Sequence, residues 1–261
     1  MPIIKVENGY IYKKTTKNTA HKTTLFFFLL LLCSVVVISA CFFAFTKFDL
    51  TATFGLNKYV IYEGSSFFAV SVEETEYAKE LSEDASMLKL QDGAGYILKR
   101  NDKCYLIANS YSSIEQAQNV AANLTNYDAE VLELKFDRLV LSAQYTSEQI
   151  DILKHSISLV NRFFDRVQDI SVSFDRAEIL DAEARQKLQV FKETCQLEKE
   201  NLSKAFSNGS DVVVTYVKIF QNEVISNLSS LIVSQNLSGD MKYIMVSTLV
   251  SFETFQKNIK K

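Results

Sequence analysis

Apolar positions change their spacing twice along the chain. From Thr24 to Thr46 they form an unbroken run without a charge, a proline or a glycine. At 1.5 Å of rise per residue, such a run makes a helix long enough to cross a bilayer core of about 30 Å. The pattern therefore predicts a single membrane-spanning helix at residues 24–46.

Between residues 66 and 137 short strand-like runs alternate with helical stripes. The predicted elements are a strand at 68–72, a helix at 75–90, strands at 96–99 and 104–108, a helix opened by a Ser112-x-x-Glu115 capping box, and a strand at 129–136. This order of strand, helix, strand, strand, helix and strand is typical of a ferredoxin-like unit. It predicts a four-stranded antiparallel sheet with both helices on one face.

After Ser142 the apolar residues recur at three- and four-residue intervals to the end of the chain. Breaks at Asn208-Gly209-Ser210 and Ser238-Gly239-Asp240 separate the later stripes. The pattern predicts an all-α bundle over 145–261, which is long enough for its own core. The first two stripes are also close to heptads. Self-association as a coiled coil, or binding of a partner protein through these helices, is therefore an alternative use.

Charge gives the predicted membrane protein an orientation. The tail at 1–23 has five lysines against one glutamate, so it carries about +4 of a total net charge of -3, and the rest is acidic. Basic residues stay on the cytoplasmic side during insertion. We therefore expect an α+β protein of the cell membrane with a cytoplasmic N-terminus, a linker at 47–65 and both later domains outside. Processing as a lipoprotein at Cys41, or removal of a signal peptide, are the alternatives.

Composition limits the chemistry. The chain has two histidines and four cysteines, and no pair of cysteines has the CxxC spacing of a zinc site. No glycine-rich loop suits a phosphate, and no nucleophile has a spacing that predicts a partner base. We expect no enzyme activity, no metal and no cofactor. The acidic exported part also argues against nucleic acid as a partner. A disulfide between Cys104 and Cys195 is left open.

Two stretches resemble a known family. Residues 93–97 followed by 105–117 resemble the second half of a SPOR domain, the sporulation-related repeat, in which an aromatic strand leads into a Glu-x-Ala helix start. Residues 68–72 leading into 76–78 are similar to the first half. The resemblance covers residues 66–137. It implies the ferredoxin-like fold and binding of peptidoglycan glycan strands, in cell division or sporulation.

The resemblance directs attention to the sheet face that the two helices leave open. Because side chains alternate along a strand, Ser71 points to that face if Val70 and Val72 point to the helices. The candidate glycan-binding residues share hydrogen-bonding side chains and are Ser71, Lys99, Asn109, Ser110 and Tyr111. One alternative is that they are ordinary solvated residues. Another is that the protein is a non-enzymatic envelope scaffold that binds no glycan.

Overall fold

The computed structural model describes residues 57–207 and 211–260, together with the two-residue strands β1 (Val6–Glu7) and β2 (Tyr10–Ile11), which pair antiparallel. The later strands are β3 (Asn57–Tyr62), β4 (Ser65–Thr75), β5 (Tyr96–Arg100), β6 (Lys103–Tyr111), β7 (Glu130–Phe136) and β8 (Leu139–Ala143). The helices are α1 (Ser82–Leu90), α2 (Ile114–Asn123), α3 (Ser147–Ile157), α4 (Leu159–Asp175), α5 (Asp181–Ala205), α6 (Val212–Ile232) and α7 (Leu237–Ile259).

The main sheet has the order β5-β6-β4-β7, and each neighbouring pair is antiparallel. With α1 and α2 between its strands, this is the order of a split βαβ unit. The β5–β6 hairpin turns at Asn101 and Asp102, which both have positive φ, as a tight hairpin turn requires. Strands β3 and β8 flank this unit in sequence and pair with each other in a second sheet.

Helices α1 and α2 lie on one face of the main sheet. Beneath them is a small hydrophobic cluster that includes Val72, Leu81 and Leu106. The N-cap of α2 is Ser113, whose hydroxyl accepts from the backbone N–H of Gln116, so the helix begins one residue later than the predicted capping box at Ser112. The predicted box of Thr146 and Gln149 is present at the start of α3.

Helix α7 covers the opposite face of the main sheet. More than half of its residues are buried, because it lies between the sheet and helices α4 and α6. Its first turn packs against the end of α1. A Cβ on Gly239 would lie 2.7 Å from the Lys89 carbonyl oxygen, and the Asn236 side chain donates to that same oxygen at 2.6 Å. The predicted break at residues 238–240 is therefore wrong, since Gly239 permits a close helix contact.

The C-terminal helices do not form a separate bundle. One hydrophobic cluster contains residues of β3, β4 and β7 together with residues of α3 to α7, and residues 58–261 form one compact unit. The first long stripe is also divided, because α3 ends at Ile157 and α4 begins at Leu159. The sheet and the helices therefore depend on the same core.

The predicted fold class and the predicted membrane localisation need correction. Among residues 57–207 and 211–260, no helix combines the length and the apolar character that a membrane crossing needs. The proposed span, Thr24 to Thr46, lies outside the described residues, as do most of the tail and residues 47–56 of the linker. What the structure supports is an α+β protein in which the four-stranded sheet, the β3–β8 sheet and helices α3 to α7 share one core, while α1 and α2 cover a second, smaller cluster.

Candidate functional site

Two of the predicted glycan-binding residues are buried in the main sheet. Ser71 pairs with Ile107 and Ser110 pairs with Ala69, and both partners belong to the cluster that the sheet shares with the later helices. The two serines therefore lie on the face opposite α1 and α2, which is the face that strand alternation predicted for Ser71, but their exposed fractions are 1% and 0%. The Ser71 hydroxyl donates to the Glu73 carbonyl oxygen at 3.1 Å, and the Ser110 hydroxyl has no partner among the described residues. The face that was expected to be open is closed to a polymer. Residues 66–137 contain no pattern that predicts the covering of this sheet face by later helices.

The other three predicted residues lie apart from this face. Asn109 and Tyr111 are half-buried at the end of β6, where the Asn109 amide donates to the Tyr111 hydroxyl at 2.9 Å. Burial raises the pKa of Tyr111 above its ordinary value, against the opposing effect of that hydrogen bond. Lys99 is exposed on the edge strand β5, opposite Cys104 in the pairing register. Asn109 therefore contacts Tyr111 and also accepts a hydrogen bond from the Ser110 backbone N–H at 2.8 Å, while Lys99 and Ser71 lie elsewhere in the sheet.

A polar cluster lies between α3, α4 and α5. Arg162 donates two hydrogen bonds to the Glu198 carboxylate at 2.7 and 2.8 Å, and it also donates to the His155 carbonyl oxygen at 2.9 Å. The His155 ring lies 3.0 Å from the same carboxylate. Charge-assisted, two-pronged pairs of this kind fix geometry well. The cluster therefore joins three helices. The sequence analysis did not predict it, because Glu198 lies 36 residues after Arg162 in the chain.

The environment of this cluster changes the acidity of Glu198. Burial on its own raises the pKa of Glu198, but the hydrogen bonds and charge of Arg162, followed by those of His155, outweigh it and hold the pKa below the ordinary value. The nearby Cys195 thiol has its pKa raised to about 12, chiefly by burial and then by the charge of Glu198. A buried, protonated thiol is a poor nucleophile. This arrangement suits a structural ion pair.

A second polar cluster lies beside it on the surface. The Tyr62 hydroxyl, the Ser65 hydroxyl and the Asn161 side-chain oxygen lie within hydrogen-bonding distance of one another, and Tyr62 and Ser65 are 3.0 and 3.3 Å from that oxygen. The two hydroxyl hydrogens are shared among these three contacts. This links β3 and β4 to α4. A shallow groove lined by Asp151, His155 and Asn161 runs between the two clusters. Within the described residues, no group of histidine, cysteine or carboxylate side chains could hold a metal ion.

The outward face of α6 has an unusual composition. All exposed residues on this helix are uncharged, namely Val212, Thr215, Ile219, Asn222, Ser226, Ser229 and Ser230. Its two charged residues, Lys218 and Glu223, are half-buried at the sides, and Glu223 accepts a hydrogen bond from Ser251 of α7. A helix on a protein surface normally turns charged residues to water. The low charge content is visible in the sequence VVVTYVKIFQNEVISNLSSLI, although the apolar periodicity alone predicts only a stripe that faces the core.

Apolar side chains stand out along this face. Val212 and Ile219 are 68% and 55% exposed, and Val233, at the C-cap, is 77% exposed. They are spaced by seven and fourteen residues, so they lie in one line along the helix. On the neighbouring helix α5, Val190 and Leu197 repeat the seven-residue spacing and are also more than half exposed. We call this surface of α5 and α6 the outer helical face.

Comparison with known proteins gives no further assignment. No protein-family model matches the chain, and no curated protein or solved structure does so either. The similarity to SPOR domains stays a prediction based on the residues quoted above.

Proposed function

We propose that this protein is a non-enzymatic assembly protein that acts through protein contacts of its C-terminal helices and does not hold cell-wall glycan on its sheet. The observation that carries the proposal is the burial of Ser71 and Ser110, which are 1% and 0% exposed on a sheet whose face opposite α1 and α2 is packed against the later helices. A glycan strand therefore has no access to their hydroxyls. Binding there would require the helices to leave that face, which would expose the apolar residues that the sheet and the helices share.

The polar clusters support the non-enzymatic part of the proposal. His155, the histidine of the described chain, directs its ring to Glu198, and Arg162 completes that ion pair. The Cys195 thiol is buried and has a raised pKa. His155, Arg162 and Glu198 therefore join helices to one another, and Cys195 lies in the hydrophobic core. A catalytic site would instead direct a base and a nucleophile to the same open position.

Glycan binding is the second candidate, and one observation favours it. Asn109 and Tyr111 form a hydrogen-bonded pair that is only half-buried at the end of β6. An amide beside an aromatic ring is a suitable surface for sugar hydroxyls and the apolar face of a sugar. This candidate therefore depends on an edge of the sheet.

One experiment tests both candidates. Fragment 57–261 contains both hydrophobic clusters and is suitable for co-sedimentation with purified peptidoglycan, before and after an amidase removes the stem peptides. Under the proposal, the fragment stays in the supernatant in both cases. Sedimentation that increases after stripping would overturn it. In that case Asn109→Ala should abolish binding, while Asn126→Ala, on an exposed loop between α2 and β7, serves as the matched control.

A further inference from the structure

We infer that the outer helical face is the interface of a homodimer, in which α6 packs antiparallel against α6 of a second copy. This inference rests on the proposed function, because it names the partner through which the C-terminal helices assemble. It is carried by three properties of the described residues. These are the absence of exposed charge on α6, the spacing of its exposed apolar residues, and the size of the face.

The absence of charge favours a second copy as the occupant. In a two-fold symmetric contact each charged group near the axis meets its own symmetry mate, which is a like charge and therefore repulsive. The exposed residues of α6 contain only valine, isoleucine, threonine, asparagine and serine, so α6 escapes this cost. A charged partner would find no exposed complementary charge on α6, because Lys218 and Glu223 are half-buried. Depletion of charge at the centre is also the typical composition of interfaces.

The spacing supports an antiparallel arrangement. Val212, Ile219, Ser226 and Val233 follow one another at intervals of seven residues. When two such helices run antiparallel about an axis near Asn222, Val212 of one copy meets Val233 of the other, and Ile219 meets Ser226. Each large apolar side chain at one end then has an apolar partner. The small serine side chains near the middle let the two backbones approach closely.

The size of the face agrees with a moderately stable dimer. A helix of 21 residues is about 30 Å long, and two neighbouring helices are about 20 Å wide. The footprint is therefore roughly 600 Å² on each copy, which approaches the roughly 800 Å² per partner of stable interfaces. Val190 and Leu197 of α5 extend the apolar centre, and exposed charged residues of α5 such as Glu193 and Glu200 form the polar rim.

Sedimentation equilibrium of fragment 57–261 tests the inference directly. We expect a monomer–dimer equilibrium between roughly 1 and 100 µM, because a total buried area of roughly 1,200 Å² is at the small end of specific interfaces, where association is weak. Ile219→Lys should weaken dimerisation by roughly tenfold or more, since the change occurs twice in a symmetric interface. Val140→Lys is the matched control, because Val140 is 53% exposed on β8, against 55% for Ile219. A monomer throughout this range would overturn the inference.

Engineered cysteines test the direction of packing. The fragment contains two native cysteines, Cys104 and Cys195, which are buried at 1% and 0% exposure, so an introduced thiol is the accessible one. Under oxidation Asn222→Cys should cross-link with itself near the axis. A mixture of Val212→Cys and Val233→Cys should form the mixed dimer, and Val212→Cys alone should not. Efficient cross-linking of Val212→Cys with itself would overturn the antiparallel arrangement.

The two proposals fail in different experiments. A fragment that is monomeric and does not sediment with peptidoglycan contradicts the homodimer alone. A fragment that sediments with stripped peptidoglycan contradicts the proposed function, whatever its oligomeric state. Circular dichroism of each variant confirms that a change in association comes from the surface and not from unfolding.

Discussion

Phe136 at the end of β7 and Phe252 in α7 pack edge to face, with their ring centroids 5.3 Å apart. Phe252 also contacts the rings of Tyr62, Phe220 and Phe255 at 5.2 to 5.3 Å. One side chain thus joins strands, the last helix and α6. This relationship explains why the sheet and the helices share a core although the sequence suggests two separate domains.

Replacing Phe252 tests this shared core. Phe252→Ala should lower the free energy of unfolding by about 3–5 kcal/mol, because a fully buried ring is lost and a cavity remains. Phe252→Leu should cost less, since it retains most of the apolar volume. Urea unfolding followed by circular dichroism measures both. Tyr127→Ala, at a 44% exposed position, is the control and should change stability by less than about 1 kcal/mol. A small effect of Phe252→Ala would contradict the packing.

Excision of residues 66–137 tests whether the sheet can fold alone. We expect no cooperative unfolding transition and strong binding of a hydrophobic dye, because the fragment exposes Phe67, Ile107 and Leu134, which the helices otherwise cover. Fragment 57–261 is the reference and should unfold cooperatively. An independently folded 66–137 would show that α7 is dispensable for the sheet. It would also return the open face to consideration as a glycan site.

The ion pair of Glu198 predicts a pH dependence of stability. Its folded pKa is lower than the ordinary value of 4.5, so its contribution is complete above that pH and is lost as the pH falls through the folded pKa. Glu198→Gln should therefore cost roughly 2 kcal/mol at neutral pH, since the carboxylate is largely buried. The difference from the unmodified protein should shrink as the pH falls below 4.5. Glu200→Gln, exposed on the same helix, is the control. A constant difference across this range would contradict the prediction.

Gln221 offers a test in the stabilising direction. Its side chain is 0% exposed on α6, and neither its amide oxygen nor its amide nitrogen has a partner among the described residues. Burial of unpaired polar atoms is costly. Gln221→Met, which keeps the length of the side chain, should raise the free energy of unfolding by about 1–2 kcal/mol in urea unfolding. Gln118→Met at an exposed position of α2 should be neutral. Destabilisation by Gln221→Met would show that the amide has a partner.

Some parts of the fold were predictable because they depend on neighbours in sequence. Strand β7, the β5–β6 hairpin and the capping box at Thr146 lie where local pattern and turn chemistry predicted them. Less predictable was Gly239, which reads locally as a helix break. The structure places it inside α7, because the missing Cβ allows contact with Lys89. The reason lies in a residue 150 positions away, which local patterns do not contain.

Some features of the candidate site were also predictable from the sequence, and others were not. The register sets Ser71 opposite Ile107 of the shared core, on the face that strand alternation predicted, but nothing in residues 66–137 indicated what would cover that face. The sequence also did not reveal the pairing of Arg162 with Glu198. Helices α3 to α5 carry many charged residues, and their spacing does not specify which of them pair. By contrast, the low number of charged residues in α6 is visible in the sequence, and only the structure shows which of its uncharged residues face outward.

The sequence by itself determined the type and order of most elements between residues 65 and 260, because strand alternation, helical stripes, caps and turns act over a few residues. The tertiary structure decided how those elements share their apolar faces. An amphipathic helix must bury its stripe against something, and the sequence does not specify which surface. Here α7 packs against the sheet. The later helices cover one predicted binding surface, and the outer helical face stays exposed.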